Sequence, residues 1–89
     1  MTITHWINGE PAAGGERSQP VYDPATGQSA QEVLLADRAT VERAIAAAEQ
    51  AYPAWRDTPP LKRARIMMKL KDLLEQHADA ICQLITAEH

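Results

Sequence analysis

The sequence has no phenylalanine, a single cysteine and an aromatic content of only 4% in 89 residues. Alanine supplies much of the 45% hydrophobic content, so the side chains available for a core are mostly small and the core is expected to be thin. The length fits one small unit at most. Because Cys82 is the only cysteine, an internal disulfide is excluded, and a reducing cytoplasmic compartment is favoured over secretion.

Positive charge and long apolar runs are also scarce. A formal net charge of -3 and a pI near 5.5 give no attraction to nucleic acid or to acidic membrane surfaces. The first residues lack the basic start, apolar stretch and cleavage site of a secretory signal, and no apolar run is long enough to span a membrane. We therefore expect an unprocessed cytoplasmic protein with neither nucleic-acid nor membrane partners.

The first third of the chain predicts short strands joined by tight turns. Asn8-Gly9 is a strong hairpin signal, because both central residues of a type I′ turn need a positive φ. Pro11 cannot donate to a ladder, so the returning strand should be short or lie at an edge. A second antiparallel pair is predicted for residues 19–22 and 29–36, on either side of the Asp-Pro-Ala-Thr-Gly turn at residues 23–27.

The rest of the chain predicts two amphipathic helices. The first begins near Val41, with Thr40 as N-cap, and Pro53 should kink or loosen its last turn. Apolar residues recur along it at spacings of three and four, which predicts one buried stripe. The members of this stripe are Val41, Ile45, Ala48, Tyr52 and Trp55.

The second helix is predicted to start at Thr58-Pro59-Pro60, since proline suits the first turn of a helix. Because neither glycine nor proline follows Pro60, the helix is predicted to run unbroken to residue 89. No glycine C-cap closes it there, so we expect it to continue in a longer protein. Its predicted buried stripe comprises Ile66 or Met67, Leu70, Leu73 or Leu74, His77, Ile81, and Leu84 or Ile85. The predicted class is therefore an α+β fragment, with N-terminal β-hairpins followed by a two-helix hairpin.

No set of residues predicts a complete catalytic or metal site. Cys82 lies beside the apolar stripe of the second helix, which predicts a buried, inert packing residue rather than a nucleophile. His5, His77 and His89 lack metal-ligand spacing, and His77 is interpreted as a histidine at the boundary of the core. Trp6 and Trp55 are interpreted as core residues in preference to interface anchors.

Basic residues and glycines could suggest phosphate or nucleotide binding, but their placement argues against it. The basic residues of the second helix are interpreted as a solvated face opposite the apolar stripe, with no interleaved aromatic residue for base stacking. The glycines do not form the strand, glycine loop and helix that hold a dinucleotide. The basic cluster consists of Lys62, Arg63, Arg65, Lys69 and Lys71.

Two turns and two helices carry a resemblance to a known family. Ile-Asn-Gly-Glu at residues 7–10 and Asp-Pro-Ala-Thr-Gly-Gln at residues 23–28 resemble the opening hairpin and the Asn-Pro-Ala-Thr-Gly-Glu turn of the aldehyde dehydrogenase superfamily. Asp23 and Gln28 depart from that pattern conservatively. Residues 41–55 and 61–89 resemble the first two helices of the family's coenzyme-binding domain, and residues 51–58 with 84–88 most resemble its methylmalonate-semialdehyde dehydrogenase branch.

The resemblance implies an incomplete piece of an α/β enzyme, with residues 1–89 as the N-terminal segment of the coenzyme-binding domain. The branch uses NAD and a cysteine nucleophile, and resolves its thioester with coenzyme A, in valine and inositol breakdown. The nucleophile, base and nicotinamide-binding residues belong to later parts of the pattern, so no catalytic or cofactor-binding residue is carried over and Cys82 is not the nucleophile. The backbone carbonyls of Val21 and Tyr22 correspond to part of a monovalent-cation site.

Two hypotheses follow. In the first, the chain is the N-terminal scaffold of an NAD-dependent, CoA-acylating semialdehyde dehydrogenase, whose partners are the remainder of its own chain, a semialdehyde substrate and further copies in a dimer or tetramer. In the second, it is a free-standing, non-catalytic module whose helical hairpin docks on another protein. The docking residues would be Val41, Ile45, Leu70, Leu73 and Leu74.

Overall fold

The computed structural model describes residues 2–89, in which short strands are followed by helices. This order confirms the predicted class, with three helices in place of two. The strands are β1 Thr2–Ile3, β2 His5–Ile7, β3 Glu10–Ala12, β4 Ser18–Tyr22 and β5 Ser29–Leu34, and the helices are α1 Arg38–Asp57, α2 Pro60–Gln76 and α3 Ala78–Glu88.

The predicted hairpin at Asn8-Gly9 is confirmed. β2 and β3 are antiparallel, and the two turn residues have φ values of 56° and 79°, the left-handed pair that this turn requires. Pro11 lies opposite Trp6 in a strand of three residues, so the ladder is as short as the proline predicts.

The second sheet has the strand order β1-β5-β4. Its β4–β5 pair is antiparallel, as predicted, with an irregularity between Val21 and Tyr22. The parallel pairing of β1 with β5 was not predicted, because it joins residues far apart in the sequence: Thr2 lies opposite Glu32, and Ile3 opposite Val33.

The start of α1 corrects the predicted N-cap. Asp37, not Thr40, caps the helix: its Oδ1 accepts from the backbone N–H of Thr40 at 2.8 Å and from the Thr40 hydroxyl at 2.6 Å. An aspartate at the extended residue before the helix satisfies an otherwise free N–H group, so the helix starts at Arg38. Pro53 does not interrupt it, and the Thr58 hydroxyl donates to the Ala54 carbonyl at 2.7 Å where the helix ends.

The prediction of one unbroken second helix is wrong. His77 leaves helical geometry, with φ -108° and ψ 15°, and separates α2 from α3. Helical hydrogen bonds persist on either side of it, from His77 N–H to Leu73 O at 3.1 Å and from Ile81 N–H to His77 O at 3.0 Å. The break is therefore local to His77, because helical hydrogen bonds are made both by its N–H group and by its carbonyl. Neither glycine nor proline lies at the break.

The face of α1 that is covered differs from the predicted one. Thr40, Ala44 and Ala47 lie on one side of the helix and are the residues that the rest of the chain covers, with Thr40 only 5% exposed. Gly14 of the loop that follows the hairpin lies directly against the Thr40 side chain, whereas an open depression lies between the hairpin itself and α1. The predicted stripe of larger residues, including Val41 and Ile45, lies beside this face and is exposed.

No hydrophobic side chain among residues 2–89 is buried. Trp6 is 71% exposed and Trp55 41% exposed, so their interpretation as core residues is wrong for this chain. The large apolar residues of α2 and α3 are exposed as well, except Ile81, which is half-buried. The described chain extends over 48 × 34 × 15 Å, with few contacts between helices. None of the helices described is both long and apolar enough to cross a membrane.

Candidate functional site

The loop between β3 and β4 is held by hydrogen bonds to two different elements. The Gly14 carbonyl lies 2.7 Å from Nε2 of His5, and the Ala13 carbonyl accepts from Nη2 of Arg43 at 2.7 Å. The first bond ties the loop to β2, and the second ties it to the first turns of α1. The loop is called the glycine junction below, and comprises residues 13–15.

Both glycines of this junction are needed because neighbouring atoms leave no room for a side chain. A Cβ on Gly14 would collide with the side chain of Thr40, reaching its Cγ2 at 2.9 Å and overlapping its hydroxyl. A Cβ on Gly15 would overlap the Leu35 carbonyl oxygen, and Gly15 has a φ of 86° that other residues rarely adopt. The space beside these glycines is filled by protein, so they serve packing and leave no cradle for a phosphate.

The Asp37 carboxylate is the group here whose acidity the fold changes. Hydrogen bonds from the Thr40 hydroxyl and the Thr40 backbone N–H lower the pKa of Asp37 below its usual value of 3.8, and the positive charge of Arg43 acts in the same direction. The carboxylate is thus kept ionised as a cap. Its hydrogen bonds are structural, because they end on the backbone and side chain that define the helix start.

Val21 and Tyr22, the predicted cation ligands, lie at the end of β4, where the pairing with β5 shifts register. The next residues form a closed turn in which Asp23 N–H donates to Gln28 O at 2.9 Å and Gly27 N–H to Asp23 O at 2.8 Å. The Asp23 carboxylate accepts from the Ala25 N–H at 2.8 Å. A bulge changes the direction in which backbone groups point at the end of a strand. The role of the Val21 and Tyr22 carbonyls as cation ligands stays a prediction.

Cys82 is exposed, which corrects its predicted burial. It faces a shallow depression between α3 and the Asp-Pro-Ala-Thr-Gly turn, whose other lining residues include Asp23, Asp79 and Gln83. Neither histidine nor lysine is among the residues that line it, so no imidazole or amine is placed beside the thiol to activate it in the part of the chain described. Across residues 2–89, no group of three or more His, Cys, Asp or Glu side chains could hold a metal ion.

A second depression, of about 510 Å³, separates the β2–β3 hairpin from α1. Its polar lining is Asn8, Glu10, Arg43 and Gln50, among several alanines. Arg43 is already bonded to the Ala13 carbonyl. Glu10 is the lone carboxylate of this lining and has no Ser, Thr, Cys, His or Lys beside it, so the pair of nucleophile and base that a catalytic pocket needs is not formed.

The basic cluster of α2 is split by the structure. Lys62, Arg65 and Lys69 are exposed, as predicted for a solvated face, and Lys71 pairs with Glu75 at 2.9 Å. Arg63 is different: it is half-buried, and its Nε is shielded from solvent without an acceptor in the described chain. The sequence signal that could have separated Arg63 from the cluster is its helical spacing to Ile66 and Met67.

The comparisons with known proteins agree with this arrangement of elements. The model of the aldehyde dehydrogenase family matches residues 10–89. A malonate-semialdehyde dehydrogenase of Pseudomonas aeruginosa is 49% identical over 88 residues, which are 99% of this chain and 18% of that protein.

Two solved structures share the fold of the chain. The methylmalonate-semialdehyde dehydrogenase from Oceanimonas doudoroffii superposes with a TM-score of 0.96 at 57% identity, over 99% of this chain and 18% of its own. A structure from Sinorhizobium meliloti 1021, described as a methylmalonate-semialdehyde dehydrogenase and complexed with NAD, gives a TM-score of 0.98 at 33% identity, over 100% and 18% of the two chains.

The chain spans about 18% of the length of these relatives, and its elements match the N-terminal part of their fold. The family model covers nearly all of the chain, and the turns and helices that suggested the resemblance lie where that fold has them. The chain therefore belongs to the aldehyde dehydrogenase family.

Proposed function

We propose that residues 1–89 form the N-terminal segment of the coenzyme-binding domain of an NAD-dependent (methyl)malonate-semialdehyde dehydrogenase. The observation that carries this proposal is the identity of 49% and 57% to two such dehydrogenases over 99% of the chain. The segment acts as scaffold: its strands and helices support the domain, and it supplies no group to the reaction.

In the longer protein, a semialdehyde would be oxidised to an acyl-CoA through a cysteine thioester, with NAD as hydride acceptor and coenzyme A as the acyl acceptor. The glycines of this chain do not form a loop that would hold the phosphates of either cofactor. Gly9 and Gly27 lie in turns between strands, and the spaces beside Gly14 and Gly15 are occupied by Thr40 and Leu35. No step of the reaction is therefore assigned to residues 2–89.

The partners proposed for this segment are the remainder of its own chain and further copies in a cytoplasmic dimer or tetramer. The absence of a buried hydrophobic side chain among residues 2–89 supports a need for covering protein. The carbonyls of Val21 and Tyr22 are proposed as part of a monovalent-cation site, whose other ligands would lie outside this chain.

The proposal is tested by extending the reading frame past codon 89 and purifying the whole product. We expect NADH to form from NAD when malonate or methylmalonate semialdehyde and coenzyme A are both supplied, with acyl-CoA detected by mass spectrometry. Acid in place of acyl-CoA would refute the CoA-acylating part, and no NADH would refute the dehydrogenase. Cys82→Ser should retain activity, since the thiol is exposed and has neither histidine nor lysine beside it.

The second candidate is the free-standing interaction module, which is favoured by the exposure of Val41, Ile45 and Leu70. A stop codon directly after His89, together with a stable complex with another protein in the source cell, would support it against the dehydrogenase. Continuation of the frame into an active enzyme would exclude it.

A further inference from the structure

Arg63 lies on the apolar face of α2, near the N-terminal end of the helix. In a helix of 3.6 residues per turn, positions three, four, seven and eleven after a residue share its side. These positions after Arg63 are occupied by Ile66, Met67, Leu70 and Leu74. The permanently charged Arg63 thus shares its side of the helix with large hydrocarbon residues.

The surroundings of Arg63 show that the site is incomplete. Arg63 is half-buried and its Nε, which can only donate, has no acceptor among residues 2–89. Its apolar neighbours remain open, with Ile66 47%, Leu70 46% and Leu74 51% exposed. If protein covers these neighbours, it also removes water from the guanidinium, and a charge enclosed without a partner is strongly unfavourable.

We propose that the apolar face of α2 is an interface for the polypeptide that follows residue 89 in this family, and that this polypeptide presents a carboxylate to Arg63. The inference rests on the proposed function, because it takes the chain to be part of a longer dehydrogenase. The covering segment has to be apolar, with one Asp or Glu positioned for the planar, forked donors of arginine.

Two observations favour that occupant over a second copy of the same helix. The relatives carry the matched segment as only 18% of their length, so most of their fold lies outside it and is available to cover this face. The same face of a second copy carries no carboxylate, because it consists of Arg63 and apolar residues. A second α2 could cover the hydrocarbon but would leave both guanidinium groups without an anion.

The experiment uses the whole product of the extended reading frame. Its crystal structure should show a carboxylate oxygen of Asp or Glu beyond residue 89, from the same chain, within hydrogen-bond distance of the Arg63 guanidinium. A guanidinium that meets water, backbone carbonyls only, or a carboxylate of another subunit would overturn the proposal.

Variants of the same enzyme provide an independent measurement. Arg63→Leu should lower the thermal midpoint by several degrees, because the carboxylate would be left enclosed and unpaired, and Arg63→Lys should lower it less. The matched control is Lys62→Leu on the exposed basic face, which should leave the midpoint nearly unchanged. Equal midpoints for Arg63→Leu and Lys62→Leu would contradict the proposal, and if Arg63→Leu does not fold, the comparison of Arg63→Lys with Lys62→Arg takes its place.

The failure of this inference is distinct from a failure of the proposed function. A product that forms no NADH with semialdehyde and coenzyme A refutes the dehydrogenase, whatever Arg63 contacts. An active enzyme whose Arg63 has no carboxylate partner refutes only the present inference.

Discussion

Among single residues, Asp37 has the clearest role, because one carboxylate oxygen accepts two hydrogen bonds from Thr40 and starts α1. These bonds lower its pKa in the folded chain below 3.8. A carboxyl group with a lowered folded pKa binds its proton more readily in the unfolded chain. Its stabilising effect is therefore complete above pH 3.8 and is lost as the pH falls through the lowered folded value.

We predict that Asp37→Asn removes this part of the acid sensitivity of α1. Asparagine also caps helices but has no charge to lose, so the variant should keep its helicity at neutral pH and change less than the natural chain as the pH falls below 3.8. Far-UV circular dichroism across that range measures the difference. Glu49→Gln, an exposed carboxyl within the same helix, is the control, and an equal effect of both substitutions would contradict a special role for Asp37.

Arg63 illustrates what a residue-by-residue reading of charge misses. Grouped with its basic neighbours, it is interpreted as solvated, whereas its spacing to Leu70 and Leu74 places it on the apolar side. The two signals conflict, and the half-buried side chain with an unpartnered Nε agrees with the spacing. Position on the helix therefore predicts its environment better than side-chain type.

Between elements, the glycine junction connects the hairpin, the sheet and α1. We predict that Gly14→Ala loosens it, because the new Cβ meets the Thr40 Cβ at 3.0 Å and Thr40 is held in place by Asp37. Overpacking of this kind costs about 1–3 kcal/mol, so amide exchange in residues 5–12 should accelerate by roughly fivefold or more.

The matched test of this contact is a double-mutant cycle. Thr40→Ala removes the hydroxyl and Cγ2 that Gly14→Ala would strike, so Gly14→Ala should accelerate exchange less in that background than in the natural chain. Hydrogen-exchange mass spectrometry measures the effect of Gly14→Ala in the natural chain and in the Thr40→Ala background. Additive effects of the two substitutions would show that the junction is not held by close contact between Gly14 and Thr40.

Local chemistry made some elements predictable from the sequence. The hairpin depends on Asn8 and Gly9, and the β4–β5 pair on the turn between them, so both could be predicted from adjacent residues. The pairing of β1 with β5 depends on residues about thirty positions apart and has no local signal. His77 breaks the helix without a glycine or proline, so the division into α2 and α3 could not be read from sequence either.

The covered face of α1 was mispredicted for a physical reason. Hydrophobic spacing identifies which side of a helix is apolar, but not which protein will cover it. Within this chain the nearby elements reach Thr40 and its alanine neighbours, while Val41 and Ile45 stay open. The candidate cation ligands Val21 and Tyr22 came only from the family resemblance, and they stay a prediction.

The chain as a unit lacks the usual source of cooperative stability, since no hydrophobic side chain among residues 2–89 is buried. Hydrophobic burial is the main favourable contribution to folding, and exposed apolar faces promote association. The net charge of -3 provides little repulsion between copies. A free chain should therefore hold its hairpins and helices weakly and cover its apolar surfaces by self-association.

We predict that the purified chain alone binds a hydrophobic dye strongly, unfolds over a broad temperature range and increases in apparent mass with concentration. Replacing Leu70 and Leu74 by glutamine should reduce dye binding and association, because both side chains are about half exposed on the face proposed to be covered. Replacing Lys62 and Lys69 by glutamine is the matched control and should not reduce either. A monodisperse monomer with one sharp unfolding transition would mean that these residues are sufficient for a stable fold, and would remove the reason to expect covering protein on α2.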